Sequence, residues 1–142
     1  MSSIMVINAK GGSGKTTIST NLASYYASSG FKVTLVDLDP QGSASKWLSS
    51  RPITKAKIKG VTSLPPQKVS KKEDEITIFD VPAAIYGARL QTYIKKARKI
   101  IVPVLPSPID MSAATDFLNS LRNLGSVIRH RTDICLVANR CR

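Results

Sequence analysis

One stretch near the N-terminus restricts the folds open to this chain more than any other. The apolar run from Ile4 to Ile7 predicts a buried strand, and a glycine-rich turn follows it directly. Beyond the turn we expect a helix from about Thr16 to Ser29, capped by Gly30. Its apolar residues recur about one turn apart, at Ile18, Leu22 and Tyr25 or Tyr26. A strand, a glycine-rich turn and a helix N-terminus in this order favour phosphate binding, because they present inward-turned N–H groups and a positive dipole end.

The glycine-rich turn also contains the residue types that bind a nucleoside triphosphate. Lys15 can reach the terminal phosphates, and the hydroxyl group of Thr16 can ligate Mg²⁺. The standard P-loop pattern fails, because Ala9 stands where its first glycine is required. The turn reads Lys10-Gly11-Gly12-Ser13-Gly14-Lys15-Thr16-Thr17. It resembles the deviant Walker A motif of the ParA/MinD family of ATPases, which begins with a second, signature lysine.

Three further segments carry the same resemblance, which covers about residues 2–140. The run from Asp37 to Gly42 is similar to the second motif of the family, DxDPQG. Asp80 follows an apolar strand pattern and resembles the Walker B acid, which holds the metal. Asn139 follows the last strand pattern and is similar to an asparagine that commonly contacts adenine in the family.

The resemblance implies a cofactor, a metal and a role for individual residues. ATP or ADP is expected on Lys10, Gly11, Gly12, Ser13, Gly14, Lys15, Thr16, Thr17 and Asn139. Mg²⁺ is expected on Thr16, Asp37 and Asp80. The catalytic residues it implies are Lys10, Lys15 and Asp39. Asp39 would position the attacking water, and Lys10 would reach across a dimer to the nucleotide of the partner.

The rest of the chain alternates strand and helix patterns, which predicts an α/β fold. We expect a mostly parallel sheet with helices on both faces, of the P-loop NTPase type. Ligands of such sheets bind at the carboxyl ends of the strands. The acids and the asparagine that follow strand patterns should therefore meet at one rim. We expect residues 1–142 to form a single domain that lacks the C-terminal portion of the family.

Two later helices are predicted with their buried faces. One runs from about Gly87 to Arg98 and should bury Leu90, Ile94 and Ala97. The other should follow a rigid loop at residues 106–108, with Asp110 or Ser112 as its N-cap and Gly125 near its end. Its buried face should contain Met111, Ala114, Leu118 and Leu121.

The chain carries 21 basic and 9 acidic residues, a formal net charge of +12. An excess of this size indicates a polyanionic partner, with nucleic acid ahead of an anionic membrane surface. The basic residues cluster in an exposed loop from Arg51 to Lys72, which includes an edge-strand pattern at Lys57–Val61, and again at Lys95, Lys96, Arg98 and Lys99. No recognition-helix motif is present and aromatic residues are few. We therefore expect DNA to be bound through its phosphates without sequence readout.

The leading hypothesis is an ATPase switch of the ParA type. ATP would join two subunits into a homodimer, the dimer would bind non-specific DNA, and a partner protein would stimulate slow hydrolysis. The output would be partition of a plasmid or chromosome, or positioning of another cargo. The sequence shows neither a transmembrane run nor a secretory signal, so we expect a cytoplasmic protein associated with the nucleoid.

Three other functions compete with this hypothesis. A shortened module could bind nucleotide or DNA without hydrolysis. A MinD-like ATPase could act at a membrane, although residues 126–142 show no convincing amphipathic helix. A metabolic P-loop enzyme is disfavoured, because nothing in the sequence builds a pocket for a small substrate. Cys135 and Cys141 lack metal-ligand spacing and are expected as reduced thiols, and His130 is expected at the surface.

Overall fold

The computed structural model describes residues 2–65, 72–124 and 132–141. Its helices and strands follow one another in the order β1 (Ser2–Val6), α1 (Lys15–Ser28), β2 (Lys32–Asp37), α2 (Ser43–Ser49), β3 (Ile58–Val61), β4 (Glu75–Asp80), α3 (Gly87–Ile94), β5 (Lys99–Val104), α4 (Pro108–Asn123) and β6 (Asp133–Ala138). Strand and helix alternate as the sequence predicts, apart from the α2–β3–β4 segment, where two strands follow one another.

Some of the sequence predictions fall outside the described residues. These are Gly125 as the end of the last helix, His130 at the surface, and the positions of Lys68 and Lys71 in the basic loop. Residues 66–71 of the basic loop as a whole lie outside the described residues, and the edge-strand pattern in its described part is confirmed by β3.

The strands form one six-stranded sheet in the order β3-β2-β4-β1-β5-β6, and every neighbouring pair is parallel. The central strand β1 lies between β4 and β5, so the turn that follows it emerges at the middle of the rim. Asp80 at the end of β4 is in register with Val6 of β1 on one side and Asp37 of β2 on the other. The prediction of an α/β fold with a parallel sheet is confirmed.

The helices cover both faces of the sheet, as the two hydrophobic clusters show. On one face, α1 and α2 pack through Ala23, Ala27, Ala44 and Trp47 against Ile4, Leu35, Ile76 and Ile78. On the other face, α3 and α4 pack through Leu90, Tyr93, Ile94, Phe117 and Leu121 against Met5, Phe79, Ile100 and Val102. Adjacent strand residues such as Ile4 and Met5 enter opposite clusters, because side chains alternate across a sheet.

The inward face of α1 differs from the apolar stripe in the sequence. Its fully buried residues include Ser19, Ala23 and Ala27, whereas Ile18 and Leu22 are partly buried and Tyr25 is 66% exposed. Small side chains let the helix approach the sheet closely, so the larger apolar residues lie along the flanks of the contact. Gly30 has a φ of +88° just after the C-cap Ser29, a conformation that glycine adopts without strain.

Helix α3 is shorter than predicted. It ends at Ile94 because the N–H groups of Lys96 and Ala97 bond to carbonyls three residues back, at 2.9 and 3.0 Å. The N–H of Arg98 then bonds to the backbone oxygen of Ser3, which brings the chain into the sheet. The predicted burial of Leu90, Ile94 and Ala97 is confirmed.

Helix α4 begins earlier than predicted and buries a different stripe. Its N-cap is Ser107, not Asp110 or Ser112, because Pro108 fits the first helical position and the Ser107 side chain accepts the N–H of Asp110. Met111 is 54% exposed, so its predicted burial was wrong, and Leu118 is only partly buried. The buried residues are Asp110, Ala114, Phe117 and Leu121.

The two edges of the sheet differ in character. The edge strand β3 follows a segment with exposed Lys55 and Lys57 and itself carries exposed Lys59, and such charges discourage pairing with a further strand. The edge strand β6 is largely exposed and includes Leu136, which is 54% exposed. Over the described residues, no helix has the length and apolar character needed to cross a bilayer.

Candidate functional site

The glycine-rich turn and the start of α1 form a cradle of backbone donors. Gly12 and Gly14 have φ values of +75° and +90°, which L side chains rarely adopt. Gly14 is the N-cap of α1 and provides no side-chain acceptor for the first N–H groups of the helix, and the first turn contains no acid. These donors and the positive end of the helix dipole are therefore available to an anion.

Two asparagines, one after β1 and one after β6, hold the backbone of the cradle. Asn8, which is 2% exposed, donates from Nδ2 to the Pro103 carbonyl at 2.7 Å and accepts the N–H of Lys10 on Oδ1 at 3.1 Å. Asn139 follows β6 and donates from Nδ2 to the Ser13 carbonyl at 2.9 Å. A Cβ atom at Gly14 would collide with the Asn139 amide, so this glycine serves packing as well as backbone conformation.

The ammonium group of Lys15 lies inside the cradle. The residue is 7% exposed, and Nζ donates to the Lys10 carbonyl at 3.1 Å. Burial lowers the pKa of Lys15 from its ordinary value, and the carboxylates of Asp80 and Asp39 oppose that shift. A bound phosphate would supply the negative charge that this buried cation lacks at close range.

Asp80 lies beside the first turn of α1 and is 1% exposed. Its Oδ2 accepts the hydroxyl of Thr16 at 2.7 Å, and its Oδ1 accepts the hydroxyl of Ser19 at 3.0 Å. Burial raises the pKa of Asp80 to about 6; the hydrogen bonds from Thr16 and Ser19 oppose this shift, while Asp37 and Asp39 add to it. The site therefore holds a carboxylate whose charge is not fully compensated by the protein.

The donor set at Thr16 and Asp80 fits Mg²⁺. Both side chains present oxygen, which Mg²⁺ prefers, and Mg²⁺ in nucleotide sites takes one or two protein ligands and keeps several waters. Thr16 lies at the start of α1, next to the phosphate cradle, so a metal held there could also bind a phosphate oxygen. A divalent cation would also offset the unfavourable burial of the Asp80 charge.

Asp37 and Asp39 organise the loop between β2 and α2. Asp37 is 4% exposed, and its Oδ2 accepts both the N–H and the hydroxyl of Ser45 at 2.8 and 2.7 Å. Its Oδ1 accepts the N–H of Asp39 at 3.2 Å. Asp39 is less buried and accepts the N–H of Gln41 on Oδ1 at 2.9 Å. The two acids thus differ: Asp37 is fully engaged in fixing the loop, while Asp39 keeps an oxygen for which the described residues provide no hydrogen bond.

A cleft opens beside this loop, between it and the end of β3. It is lined by Asp37, Leu38, Asp39, Pro40, Gly42, Ser45 and Thr62. The cleft therefore exposes the region of Asp39 to a ligand or to water.

Lys10 points towards the first turn of α4. Its Nζ lies 2.8 Å from Asp110 Oδ1, and the other oxygen of Asp110 accepts the Ser107 hydroxyl in a short hydrogen bond. The hydrogen bonds from Lys10 and Ser107 lower the pKa of Asp110 below its ordinary value. The signature lysine is thus paired within its own chain, beside the phosphate cradle.

Comparison with known proteins places the chain in a family. Residues 1–134 match a family described as an AAA domain. The Maintenance of carboxysome distribution protein A of Gloeobacter kilaueensis is 33% identical over 113 residues, which are 77% of this chain and 51% of that protein. The chromosome-partitioning ATPase Soj of Thermus thermophilus is 56% identical over 48 residues, 34% of this chain and 19% of Soj.

A solved structure supports the same placement at the level of the fold. The septum site-determining protein MinD of Pyrococcus horikoshii, complexed with Mg-ADP, matches with a TM-score of 0.71 at 20% identity, over 98% of this chain and 70% of that one. The chain belongs to the ParA/MinD-type family of P-loop ATPases. It spans about half the length of the carboxysome relative.

In this ParA/MinD-type chain, most of the predicted site residues lie around the cradle. The structure brings together Lys10, Gly12, Ser13, Gly14, Lys15, Thr16, Asp80 and Asn139, which share hydrogen bonds or adjoining backbone. Gly11, Gly12 and Thr17 are exposed at its surface. Asp37 and Asp39 lie on the neighbouring strand end, close enough for their charges to raise the pKa of Asp80. The Asn139 side chain, expected at adenine, contacts the turn itself.

Four residues of the site were missed or misread from the sequence. Ser19, Asn8 and Ser45 carry no recognisable local signal, because their partners lie elsewhere in the chain or face them only after folding. Asp110 was expected only as a helix cap, although it pairs with Lys10. The Ser-Pro-x-Asp sequence at 107–110 could have indicated a helix start at Pro108.

The burial of Asp80 predicts how stability depends on pH. An acid whose folded pKa is raised from 3.8 to about 6 binds its proton more tightly in the folded state. Its contribution to stability is therefore lost as pH rises from about 4 to 6, at a cost of about 3 kcal/mol. In EDTA, Asp80→Asn should gain stability relative to wild type across this window, measured by urea unfolding at several pH values.

Asp74→Asn is the control for this measurement. Asp74 pairs with Lys32 at the surface, which lowers its pKa, so any change in this variant should have the opposite sign and should lie at lower pH. A constant difference between Asp80→Asn and wild type from pH 4 to 7 would contradict the assignment of the raised pKa to Asp80.

Proposed function

We propose that this chain is an ATP-driven molecular switch of the ParA type, which binds Mg-ATP and hydrolyses it. The observation that carries this proposal is the hydrogen bond from Thr16 to buried Asp80, at 2.7 Å, beside an uncapped helix N-terminus and buried Lys15. Phosphate donors, a cation and an oxygen site for Mg²⁺ are thereby assembled at one point. Membership of a family of ATPases agrees with this arrangement.

Each residue of the site has a chemical task in this proposal. The N–H groups of the turn and Lys15 Nζ bind the β- and γ-phosphates, and Thr16 and Asp80 hold Mg²⁺, which neutralises charge on the phosphates when it is bound. Asp39 positions the attacking water, since its carboxylate lies beside an open cleft and is less engaged than that of Asp37. Asp37 supports the metal site indirectly, by fixing the loop.

We further propose that ATP joins two copies face to face at this rim. Lys10 lies at the rim, and the residues on either side of its partner Asp110, Ile109 and Met111, are 75% and 54% exposed. Tyr86, which precedes α3 on the same side of the sheet, is 58% exposed. Exposed apolar residues around a polar site are typical of an interaction surface. A second copy would cover them and would receive Lys10 at its nucleotide.

The dimer is proposed to bind DNA through charge alone. From Pro40 to Lys72 the sequence contains no acid. Four lysines of this segment are exposed at α2 or near the β3 edge: Lys46, Lys55, Lys57 and Lys59. Phosphate contacts from such residues carry no sequence information but supply affinity that depends steeply on salt.

The biological output proposed is positioning or partition of a cargo, with hydrolysis stimulated by a partner protein. The names of the carboxysome distribution protein and of Soj support this class of output. A nucleotide- or DNA-binding module without turnover is the second candidate, because the phosphate donors lie at the start of α1, whereas Asp39, to which turnover is assigned, lies in a separate loop after β2. A MinD-like action at a membrane is the third, supported by the likeness to MinD in fold.

The first test separates binding from turnover. Lys15→Ala should weaken ATP binding by at least about tenfold, since it removes a charge-assisted contact to phosphate. Asp39→Ala should bind ATP with near wild-type affinity but release phosphate at least about a hundredfold more slowly, because the water loses its positioning group. Calorimetry and a phosphate-release assay measure the two effects, with Lys46→Ala as an exposed control. Hydrolysis by Asp39→Ala at the wild-type rate would move the role to Asp37.

The second test concerns assembly. With a non-hydrolysable ATP analogue, light scattering should give a dimer for wild type and a monomer for Lys10→Ala, because the lysine would no longer reach the second nucleotide. Lys32→Ala is the control, since its ammonium is paired with Asp74 far from the rim. A monomeric wild-type protein under these conditions would favour the binding-module candidate.

The third test is a salt titration of DNA binding on two unrelated duplexes of equal length. Affinity should be equal for both and should fall steeply with salt. In the variant with Lys55, Lys57 and Lys59 all changed to Ala, the slope of log affinity against log salt should decrease by about 0.9 for each DNA phosphate that the protein no longer neutralises. An unchanged slope would show that the β3 edge does not contact DNA. Absence of binding at low salt would show that DNA is not the partner.

A further inference from the structure

Ser19 is a buried hydroxyl that the proposed function leaves without a role. It lies one turn after Thr16 on α1 and has no exposed surface. Its Oγ lies 2.9 Å from the Lys15 carbonyl and 3.0 Å from Asp80 Oδ1. A serine in mid-helix commonly bonds back to the carbonyl four residues earlier, and that bond alone needs no carboxylate nearby. The contact with Asp80 is therefore not a consequence of helix geometry alone.

The hydroxyls of Thr16 and Ser19 bond to different oxygens of the Asp80 carboxylate. Thr16 and Ser19 are three residues apart, so they lie on the same face of the helix, above the end of β4. Thr16 donates to Oδ2, and Ser19 shares its one hydroxyl proton between Oδ1 and the Lys15 carbonyl. A carboxylate held at both oxygens cannot rotate about its terminal bond without losing a hydrogen bond, and Asp80 is only 1% exposed, so little solvent is available to replace that bond.

We infer that Ser19 is a positioning residue for the metal site, which fixes the Asp80 carboxylate so that the Thr16 hydroxyl is oriented before Mg²⁺ arrives. This inference rests on the proposed nucleotide function. With its proton directed to Asp80 Oδ2, the Thr16 oxygen turns its lone pairs away from the carboxylate. Ser19 stabilises this arrangement from the opposite oxygen. It acts through Asp80 and need not touch metal or phosphate.

Ser19→Ala keeps the helix, because alanine fits the space and is the better helix former, but it leaves Asp80 Oδ1 without this donor and so costs some stability. The neighbouring Thr20 provides a matched control. It is 6% exposed, but its hydroxyl bonds only to the backbone carbonyls of Thr16 and Thr17 among the described residues. Thr20→Val removes a buried hydroxyl from the same turn while leaving the Asp80 carboxylate untouched.

The experiment measures ADP affinity by calorimetry, with Mg²⁺ and with EDTA, in wild type, Ser19→Ala, Ser19→Thr and Thr20→Val. Outer residues of metal sites typically affect metal affinity 10- to 100-fold. Ser19→Ala should therefore lose about tenfold or more of the gain in affinity due to Mg²⁺, while its affinity in EDTA stays at the wild-type value. Ser19→Thr should recover the gain, and Thr20→Val should retain it. Thermal unfolding in EDTA reports any loss of fold separately.

The outcomes distinguish this inference from the proposed function. If wild type shows a gain with Mg²⁺ and Ser19→Ala shows the same gain, Ser19 is a structural residue and the inference is overturned while the nucleotide site stands. An equal loss in Thr20→Val would also overturn it, because any buried hydroxyl of the turn would then suffice. If wild type binds no ADP under either condition, the proposed function is overturned and the inference with it.

Discussion

The attachment of α1 to the end of β4 through Asp80 is the interaction on which the rest of the site depends. It joins α1, whose N-terminus completes the phosphate cradle, to β4, which is a neighbour of β1 in the sheet. The cost is a nearly buried carboxylate next to two further acids, which the hydrogen bonds from Thr16 and Ser19 compensate only in part. A structure that served stability alone would gain by replacing this acid. In the proposed function, the positive charge that balances this acid would come from Lys15 and from a metal bound beside Thr16.

Hydrogen bonds to β5 and from the end of β6 hold the backbone of the cradle. Asn8 ties the beginning of the turn to β5, and Asn139 ties Ser13 to the end of β6. The turn is therefore shaped before any phosphate binds, so little ordering has to occur on binding. β6 contributes to the site in this way although it is an exposed edge strand. A change that destabilised β6 would weaken the hydrogen bond from Asn139 to the Ser13 carbonyl.

Local patterns predicted the parts of this site that depend on local conformation. The glycine-rich turn, the start of α1 near Thr16 and the acids at strand ends each follow from neighbouring residues. Local patterns do not predict hydrogen bonds between residues far apart in the sequence, such as the bond from Ser19 to a carboxylate 61 positions later. The apolar stripe of α1 does not coincide with its buried face, for a related reason. Large apolar residues of a helix are buried only where the gap between helix and sheet can hold them. Helix α1 lies close to the sheet and contacts it through the small residues Ala23 and Ala27.

The pairing of Lys10 with Asp110 bears on the proposed dimer. The Lys10 ammonium lies 2.8 Å from a carboxylate of its own chain, so reaching the nucleotide of a second copy would compete with this ion pair. If the ion pair opens as the subunits meet, the phosphates of the partner would replace the lost charge. Asp110 would keep its bond to Ser107 and its place at the start of α4, so the acid itself need not move. The side chain of Lys10 can therefore be the moving part, while the cradle beneath it stays fixed.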